Sequence, residues 1–213
     1  MEIIHQAIDL FLHLDRHLNV VMQNYGVWTY AILFAIIFSE TGFVVTPFLP
    51  GDSLLFAAGA LAATPDSPLR VGWLFVLLCV AAIAGNTVNY AVGRLFGDKL
   101  AARFPGIIKP KYLEKTHTFY EKYGGETIII TRFVPIVRTF APFVAGIGHM
   151  RYLKFTAYNV AGGVLWVGLL LYGGFLFGGL QFVKEHFAIV ELAIIVLSVM
   201  PMVIEFLRAH REM

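Results

Sequence analysis

An apolar stretch at residues 132–146 limits the fold more than any other part of the chain, because it carries two arginines and two prolines. An arginine at the bilayer centre costs at least about 2.5–3.5 kcal/mol. A proline inside a helix removes a backbone hydrogen bond and clashes with the preceding turn. Broken backbone is tolerated at membrane depth only where protein or a water-filled cavity surrounds it. We therefore predict a re-entrant, cavity-lining element over residues 127–148. The two arginines and two prolines of this stretch are Arg132, Pro135, Arg138 and Pro142.

The composition indicates a membrane protein. Of the 213 residues, 58% are hydrophobic and only 14% are charged, whereas soluble domains carry about 25% charged residues. The length suits one all-α, polytopic membrane domain. A net charge of +2 gives no reason to expect a nucleic-acid partner. The single cysteine, Cys79, cannot form an internal disulfide, and no cysteine–histidine set has zinc spacing, so we expect neither a metal nor a cofactor.

Hydrophobic and polar stretches divide the chain into five parts. The first has apolar residues on one helical face and most of its charged residues on others, which is typical of an amphipathic helix at the membrane interface. The polar middle part holds six basic residues. The predicted parts are the amphipathic helix 1–22, a first half 26–96, a cytoplasmic loop or helix 98–125, a second half 126–178 and a last transmembrane helix 187–207.

A second broken stretch lies at residues 43–63, where Pro47, Pro50, Gly51 and Asp52 interrupt an apolar run. Two half-helices joined near these residues fit the pattern better than one straight span. If both broken stretches return to the side from which they enter, nearly all basic residues fall on one membrane face, together with both termini. The positive-inside rule then predicts that the N- and C-termini are cytoplasmic.

The two broken stretches share a short sequence pattern. Phe48-Leu49-Pro50 matches Phe133-Val134-Pro135, and a glycine follows in each stretch, at Gly59 and Gly146. Because the stretches would enter from opposite faces, they predict an inverted repeat with two opposed re-entrant helical hairpins. Such hairpins would meet near the membrane midplane.

Ionisable residues in or beside the apolar stretches are candidates for a functional site. Arginine offers a planar fork suited to phosphate or carboxylate, so Arg132 and Arg138 form a candidate anion site. Glu40 and Asp52 are candidate proton carriers, because burial can shift a carboxyl group towards its neutral form. The opposed hairpins would bring Asp52 towards Arg138. The alternative is that these charges only brace the fold as buried pairs.

A secondary set of residues either lines the same cavity or holds helices together. Arg94 belongs to it because it lies near a helix end, where its side chain can extend to the membrane surface. The spacing of Gly93 and Gly97 also allows another helix to approach closely. The other members of the set are Asn86, Asn89, Tyr90, Tyr158 and Asn159.

Four motifs resemble those of the DedA family of bacterial inner-membrane proteins, which carry the VTT (SNARE-associated) type of domain. The resemblance covers nearly the whole chain and is closest to the namesake subgroup. One departure is Asn86, where many members carry an aspartate. The motifs are Glu40-Thr41-Gly42, Phe48-Leu49-Pro50-Gly51-Asp52-Ser53, Gly85-x4-Tyr90-x2-Gly93-Arg94-x2-Gly97 and Arg132-Phe133-x-Pro135-x2-Arg138-Thr139.

The resemblance implies a membrane lipid transporter or flippase, with opposed re-entrant hairpins, in the bacterial cytoplasmic membrane. Its expected substrate is undecaprenyl phosphate, moved with coupling to the proton-motive force, and its expected partners are membrane lipids and protons. The family's essential acidic pair would fall on Glu40 and Asp52, and its essential arginines on Arg132 and Arg138. A homo-oligomer is compatible with this role.

Other functions remain open from the residues alone. The acidic residues suit a proton-coupled exporter of small cations or drugs, and a broader phospholipid scramblase would share the same architecture. A purely structural or assembly protein would use the charges only as a brace. An enzyme acting on lipid phosphates would need a nucleophile or a histidine beside the arginines. His149 has no partner motif, so we expect no enzyme.

Overall fold

The computed structural model describes most of the predicted membrane domain. The predicted amphipathic helix, the polar loop and the last transmembrane helix lie wholly or partly outside the described residues. The described residues are 14–43, 51–65, 67–103, 126–133 and 135–181, with the single positions 183, 189, 190 and 193.

The described residues are helical, and no strand occurs among them. This confirms the all-α prediction. Apart from the short 3-10 helix Gly26–Trp28, we number the helices in chain order. They are α1 (Leu14–Tyr25), α2 (Thr29–Gly42), α3 (Gly51–Ala62), α4 (Val71–Arg103), α5 (Glu126–Thr131), α6 (Pro135–Ile147) and α7 (Tyr152–Phe177).

Among the described residues, three stretches of helix are long and apolar enough to cross a membrane. About 20 residues at 1.5 Å per residue match the hydrocarbon thickness of a bilayer. The candidate spans are Val20–Gly42, Val71–Gly97 and Tyr152–Phe177. The first begins earlier than expected, inside the last turns of α1, because only a 3-10 turn with Gly26 at φ 51° separates α1 from α2.

Helix α4 also continues past its expected end near residue 96, as far as Arg103. The glycines and polar residues in its last turns predict the end of a span. A helical glycine costs only about 1 kcal/mol, which close packing can offset. The polar residues mark where the helix leaves the apolar region, not where it stops.

The chain divides into two compact units. Unit 1 comprises Met1–Ile36, Pro50–Leu78 and Val167–Met213, and unit 2 comprises Ile37–Leu49 and Cys79–Trp166. Every predicted site residue except Asp52 belongs to unit 2. We describe each unit by itself.

In unit 1, α3 packs closely against α7 through glycines. A Cβ at Gly174 would overlap the carbonyl oxygen of Phe56, and a Cβ at Gly59 would overlap that of Leu171. Because neither glycine has a side chain, the two backbones can touch, as in other membrane helix pairs built on small residues.

In unit 2, α4 meets α6 in the same manner. A Cβ at Gly146 would overlap the carbonyl oxygen of Tyr90, and a Cβ at Gly93 would overlap that of Phe143. A Cβ at Gly97 would lie 2.9 Å from Ile147 Cγ1. The predicted close approach of a helix at Gly93 and Gly97 is therefore confirmed.

The stretch around Arg132 is broken, as its prolines predict. Helix α5 ends in a tight turn in which the Arg132 N–H donates to the Ile129 carbonyl at 3.2 Å. Helix α6 begins at Pro135, where the missing N–H removes no helical hydrogen bond. Pro142, however, lies inside α6 and does not end it. The break therefore comes from the turn after α5, directly at Arg132.

Helix α6 ends in a Schellman motif that sets the start of α7. The Met150 N–H donates to the Ala145 carbonyl at 3.0 Å, and the His149 N–H donates to the Gly146 carbonyl at 3.1 Å. His149 holds the left-handed position, at φ 52°, that glycine usually fills. The exposed histidine thus serves the turn, and the motif fixes the position of the Met150 carbonyl.

Candidate functional site

Glu40 and Arg138 form a buried ion pair in unit 2. Glu40 lies in the last turn of α2 and Arg138 in the first turn of α6. Arg138 Nη2 donates to Glu40 Oε1 at 2.5 Å, and both side chains are almost fully buried. Charge-assisted hydrogen bonds are stronger than neutral ones, and removing either partner would leave the other charge buried without this ion pair.

Asn89 fixes how the two helices present this pair. Its amide nitrogen donates to the Thr139 carbonyl at 2.7 Å and to the Thr41 carbonyl at 3.3 Å. Thr41 follows Glu40 and Thr139 follows Arg138 in the chain. One buried side chain of α4 therefore holds the backbone beside each charged residue.

Arg132 is fully buried as well, but it is held differently. Among the described residues, the only side-chain atom of Arg132 that donates a hydrogen bond is Nη2, which donates to Asn159 Oδ1 at 2.5 Å and, over 3.4 Å, to the Asn159 and Ala82 carbonyls. Nε and Nη1 have no hydrogen-bond partner among the residues that the structure describes, and Arg132 forms no ion pair with any of them. Two nitrogens of a buried guanidinium, on either side of Cδ, are thus left for other acceptors.

The face of α7 that receives Arg132 consists of small residues between an asparagine and a tryptophan. A Cβ at Gly162 would lie 3.1 Å from Arg132 Cδ, and a Cβ at Gly163 would lie 3.4 Å from Arg132 Nη2. Asn159 and Trp166 lie before and after these glycines on the same helical face. The two glycines make room for the guanidinium.

Trp166 is a site residue that the sequence reasoning missed. Its ring lies under both guanidinium groups, with Cζ of Arg138 4.6 Å and Cζ of Arg132 5.9 Å from the ring centroid. Cation–π attraction of this kind lowers the cost of burying the charges. The signal was present in the sequence, since Trp166 follows Asn159 by seven residues, two helical turns.

The hydrogen bonds around Asn159 fix the orientation of its side-chain amide. Asn159 Oδ1 accepts from Arg132 and from Asn86 Nδ2, the latter at 3.2 Å, while Asn159 Nδ2 donates to the Ile83 carbonyl at 3.0 Å. The Asn86 amide must therefore turn its Oδ1 elsewhere, and this buried atom has no donor among the described residues. Unused donors on Arg132 and an unused acceptor on Asn86 thus lie in one polar neighbourhood.

The other secondary residues are structural or exposed. The Tyr90 hydroxyl donates to the Met150 carbonyl, and its ring stacks on Phe155 with centroids 4.3 Å apart. Tyr158 is half-buried and packs against the apolar cluster that contains Tyr90 and Phe155. Arg94 is exposed on α4, and its Nη1 donates to the Tyr90 hydroxyl at 2.8 Å.

Asp52 lies in unit 1, in the first turn of α3, and is buried. Its predicted approach to Arg138 stays a prediction. In the part of the chain that the structure describes, no group of three histidine, cysteine or acidic residues could hold a metal ion.

Close contact between α2 and α4 at Gly85 supports the ion pair, and this gives a testable prediction. A Cβ at Gly85 would overlap Thr41 Oγ1 and lie 2.8 Å from the Phe38 carbonyl oxygen. Gly85→Ala should therefore destabilise the protein by about 1–3 kcal/mol, measured by thermal unfolding in detergent. The control is Gly72→Ala on the same helix, where a Cβ meets nothing within 4 Å. It should shift stability by no more than about 1 kcal/mol, in the favourable direction. Equal effects of the two variants would contradict the packing described here.

Comparisons with known proteins identify relatives along the whole chain. Residues 49–176 match the family described as the VTT domain. The chain is 56% identical to Protein DedA of Escherichia coli (strain K12) over 212 residues, which cover 99% of this chain and 97% of that protein. It is 42% identical over 145 residues to the uncharacterized membrane protein Rv0364 of Mycobacterium tuberculosis (strain ATCC 25618 / H37Rv), covering 66% and 63% of the two chains. It is 34% identical over 142 residues to the inner membrane protein YqjA of Escherichia coli (strain K12), covering 66% and 64%. No solved structure matches the chain significantly.

Proposed function

The chain belongs to the DedA family of VTT-domain membrane proteins, and on this premise we propose that it is a lipid transporter that moves undecaprenyl phosphate across the bacterial cytoplasmic membrane. The coarser part of this proposal, a membrane protein with a transport-type role, is supported by the family and by the three candidate spans. We propose the identity of the lipid and the coupling of its transport to protons.

The unused nitrogens of Arg132 carry the proposal. A fully buried guanidinium is expensive to maintain when it has no ion pair, and when Nε and Nη1 make no hydrogen bond, among the described residues. A phosphate oxygen accepts a strong, charge-assisted hydrogen bond from a guanidinium N–H. Arg132 would bind the phosphate through Nη1 while Nη2 stays on Asn159.

The Glu40–Arg138 pair supplies a route for proton coupling. While Glu40 is charged, it holds Arg138 through the 2.5 Å bond. If Glu40 takes up a proton, it loses most of its attraction for the guanidinium, so the positive charge of Arg138 acts more strongly on a phosphate beside Arg132. Proton uptake and phosphate binding would then favour each other. Asp52 is proposed as the second proton carrier.

Helix lengths support the proposed re-entrant architecture. Helices α3 and α6 have 12 and 13 residues, so each is about 18–20 Å long, well short of a bilayer core of about 30 Å. Helix α3 follows Pro50 in the chain and helix α6 begins at Pro135. Each also contacts a long helix through a glycine, Gly59 in unit 1 and Gly146 in unit 2. We therefore propose two opposed re-entrant hairpins related by an inverted repeat, with both termini in the cytoplasm.

The alternative of a small-cation exporter is less well supported. An exporter of cations needs a carboxylate that can face its substrate, whereas Glu40 is bound to Arg138. The described buried charges of unit 2 are two arginines and one glutamate, which favours an anion. A broader phospholipid scramblase would share the anion site but not the preference for a polyprenyl chain.

Proteoliposomes containing the purified protein test the proposal. We expect transfer of undecaprenyl phosphate between leaflets, faster with an imposed proton gradient than without one. Phosphatidylglycerol in the same vesicles should move much more slowly, and a cationic dye should not move. Equal movement of both lipids would instead indicate a scramblase, and dye movement without lipid movement would indicate the exporter.

A further inference from the structure

An exposed, largely apolar groove lies on unit 2. It shares no lining residue with the buried arginine pair Arg132 and Arg138. It has a volume of about 290 Å³ and is lined by Tyr90, Ala91, Arg94, Leu95 and Tyr152. The first four belong to α4, and Tyr152 begins α7. The lining is apolar apart from the guanidinium and the phenol hydroxyls.

Arg94 has hydrogen-bonding capacity that the protein does not use. Only Nη1 donates, to the Tyr90 hydroxyl at 2.8 Å and to the Met150 carbonyl at 3.5 Å. Nε and Nη2 make no hydrogen bond to any residue described in the structure. The guanidinium is therefore anchored at one nitrogen, and the Nε and Nη2 edge of this exposed residue makes no hydrogen bond to the described part of the protein.

The depth of the groove in the membrane follows from the span ends. Arg94 lies three residues before the end of the span Val71–Gly97, and Tyr152 is the first residue of the span Tyr152–Phe177. Both therefore lie at the level of the lipid headgroups, where tyrosine is enriched. Tyr90 and Ala91 lie one turn further into the membrane.

We propose that this groove binds one anionic phospholipid of the surrounding bilayer. Its phosphate would bind the Nε and Nη2 edge of Arg94, and an acyl chain would run inward over Ala91 and the ring of Tyr90. Charge complementarity favours an anionic lipid, because Arg151 and Lys154, which flank Tyr152 in the chain, are also exposed. Exposed basic side chains near the membrane surface attract anionic headgroups.

The proposal does not rest on the proposed transport function. It uses different atoms from the buried site, and it concerns a lipid that stays bound at the surface of the protein. A bound lipid would link α4 to the start of α7 and should therefore stabilise the folded protein in proportion to its concentration.

Thermal unfolding in detergent, titrated with phosphatidylglycerol or with phosphatidylcholine, tests the proposal. We expect phosphatidylglycerol to raise the melting temperature saturably and phosphatidylcholine to leave it nearly unchanged. Arg94→Gln should weaken the phosphatidylglycerol effect about tenfold or more, the loss expected for charge-assisted hydrogen bonds. Arg70→Gln, which removes an exposed arginine outside the groove, should leave the effect intact.

Two further variants distinguish lipid binding in the groove from effects of net charge and of the proposed transport site. Ala91→Phe fills the groove without changing charge and should also weaken the phosphatidylglycerol effect. Arg132→Met, which removes the proposed transport site, should keep that effect, so the two proposals can fail separately. Equal responses to both lipids, or an undiminished response of Arg94→Gln or Ala91→Phe, would overturn the proposal.

Discussion

Replacing Arg132 with methionine should abolish lipid transport without destabilising the protein. Arg132 is fully buried, forms no ion pair among the described residues, and leaves Nε and Nη1 without hydrogen bonds to them. Its removal relieves the burial of a charge, which offsets the lost bonds to Asn159. We expect the free energy of unfolding to change by less than about 2 kcal/mol, in either direction. Transport should fall about a hundredfold, because the positive charge and its charge-assisted bond to phosphate are lost.

The lysine variant sharpens this test. Arg132→Lys keeps the positive charge but loses the planar fork, so it should recover only a small part of transport. Rates would be measured in proteoliposomes and stability by thermal unfolding of the same preparations. Near wild-type transport by Arg132→Met would contradict the role proposed for this residue. A loss of transport accompanied by an equal loss of folded protein would indicate a brace instead.

Breaking the Glu40–Arg138 pair should lower the stability of the protein, unlike the replacement of Arg132. Arg138→Met or Glu40→Leu alone removes the ion pair while the other charge stays buried, and should destabilise the protein by about 3–5 kcal/mol. The double variant, with both replacements, removes both charges and should recover most of the stability, because an apolar pair of similar volume is often neutral. A double-mutant cycle on thermal unfolding measures the coupling. A coupling near zero would contradict the pairing in the structure.

Transport by the double variant distinguishes the two readings of the pair. If the pair only braces the helices, the stable double variant should transport lipid as well as the wild type. If the pair couples protons to phosphate binding, the double variant should be folded but should not respond to a proton gradient. We expect the second outcome.

The sequence predicts much of the local structure around the site. Two prolines and two arginines in one apolar stretch predicted the break near Arg132, and the structure has a turn there before Pro135. The spacing of Gly93 and Gly97 predicted a close helix contact, and both glycines lie against α6. These features depend on residues near one another in the chain, where steric rules act directly.

Features that depend on which helix faces meet were harder to predict. Helical periodicity places Asn159 and Trp166 on one face, but it does not say that Arg132 packs between them. The sequence reasoning likewise gave Glu40 no specific partner, whereas Glu40 forms an ion pair with Arg138. Glu40 precedes Arg138 by 98 residues, so helix packing and not local sequence brings the two side chains together. The approach of Asp52 to Arg138 stays a prediction.

The most direct test is a structure of the protein with undecaprenyl phosphate bound in a lipid bilayer. Our account predicts a phosphate oxygen at hydrogen-bond distance, about 2.7–3.0 Å, from Nη1 of Arg132, with Nη2 still on Asn159. It would be contradicted if the lipid phosphate were bound elsewhere while a carboxylate or carbonyl of the protein accepted from Nη1 of Arg132.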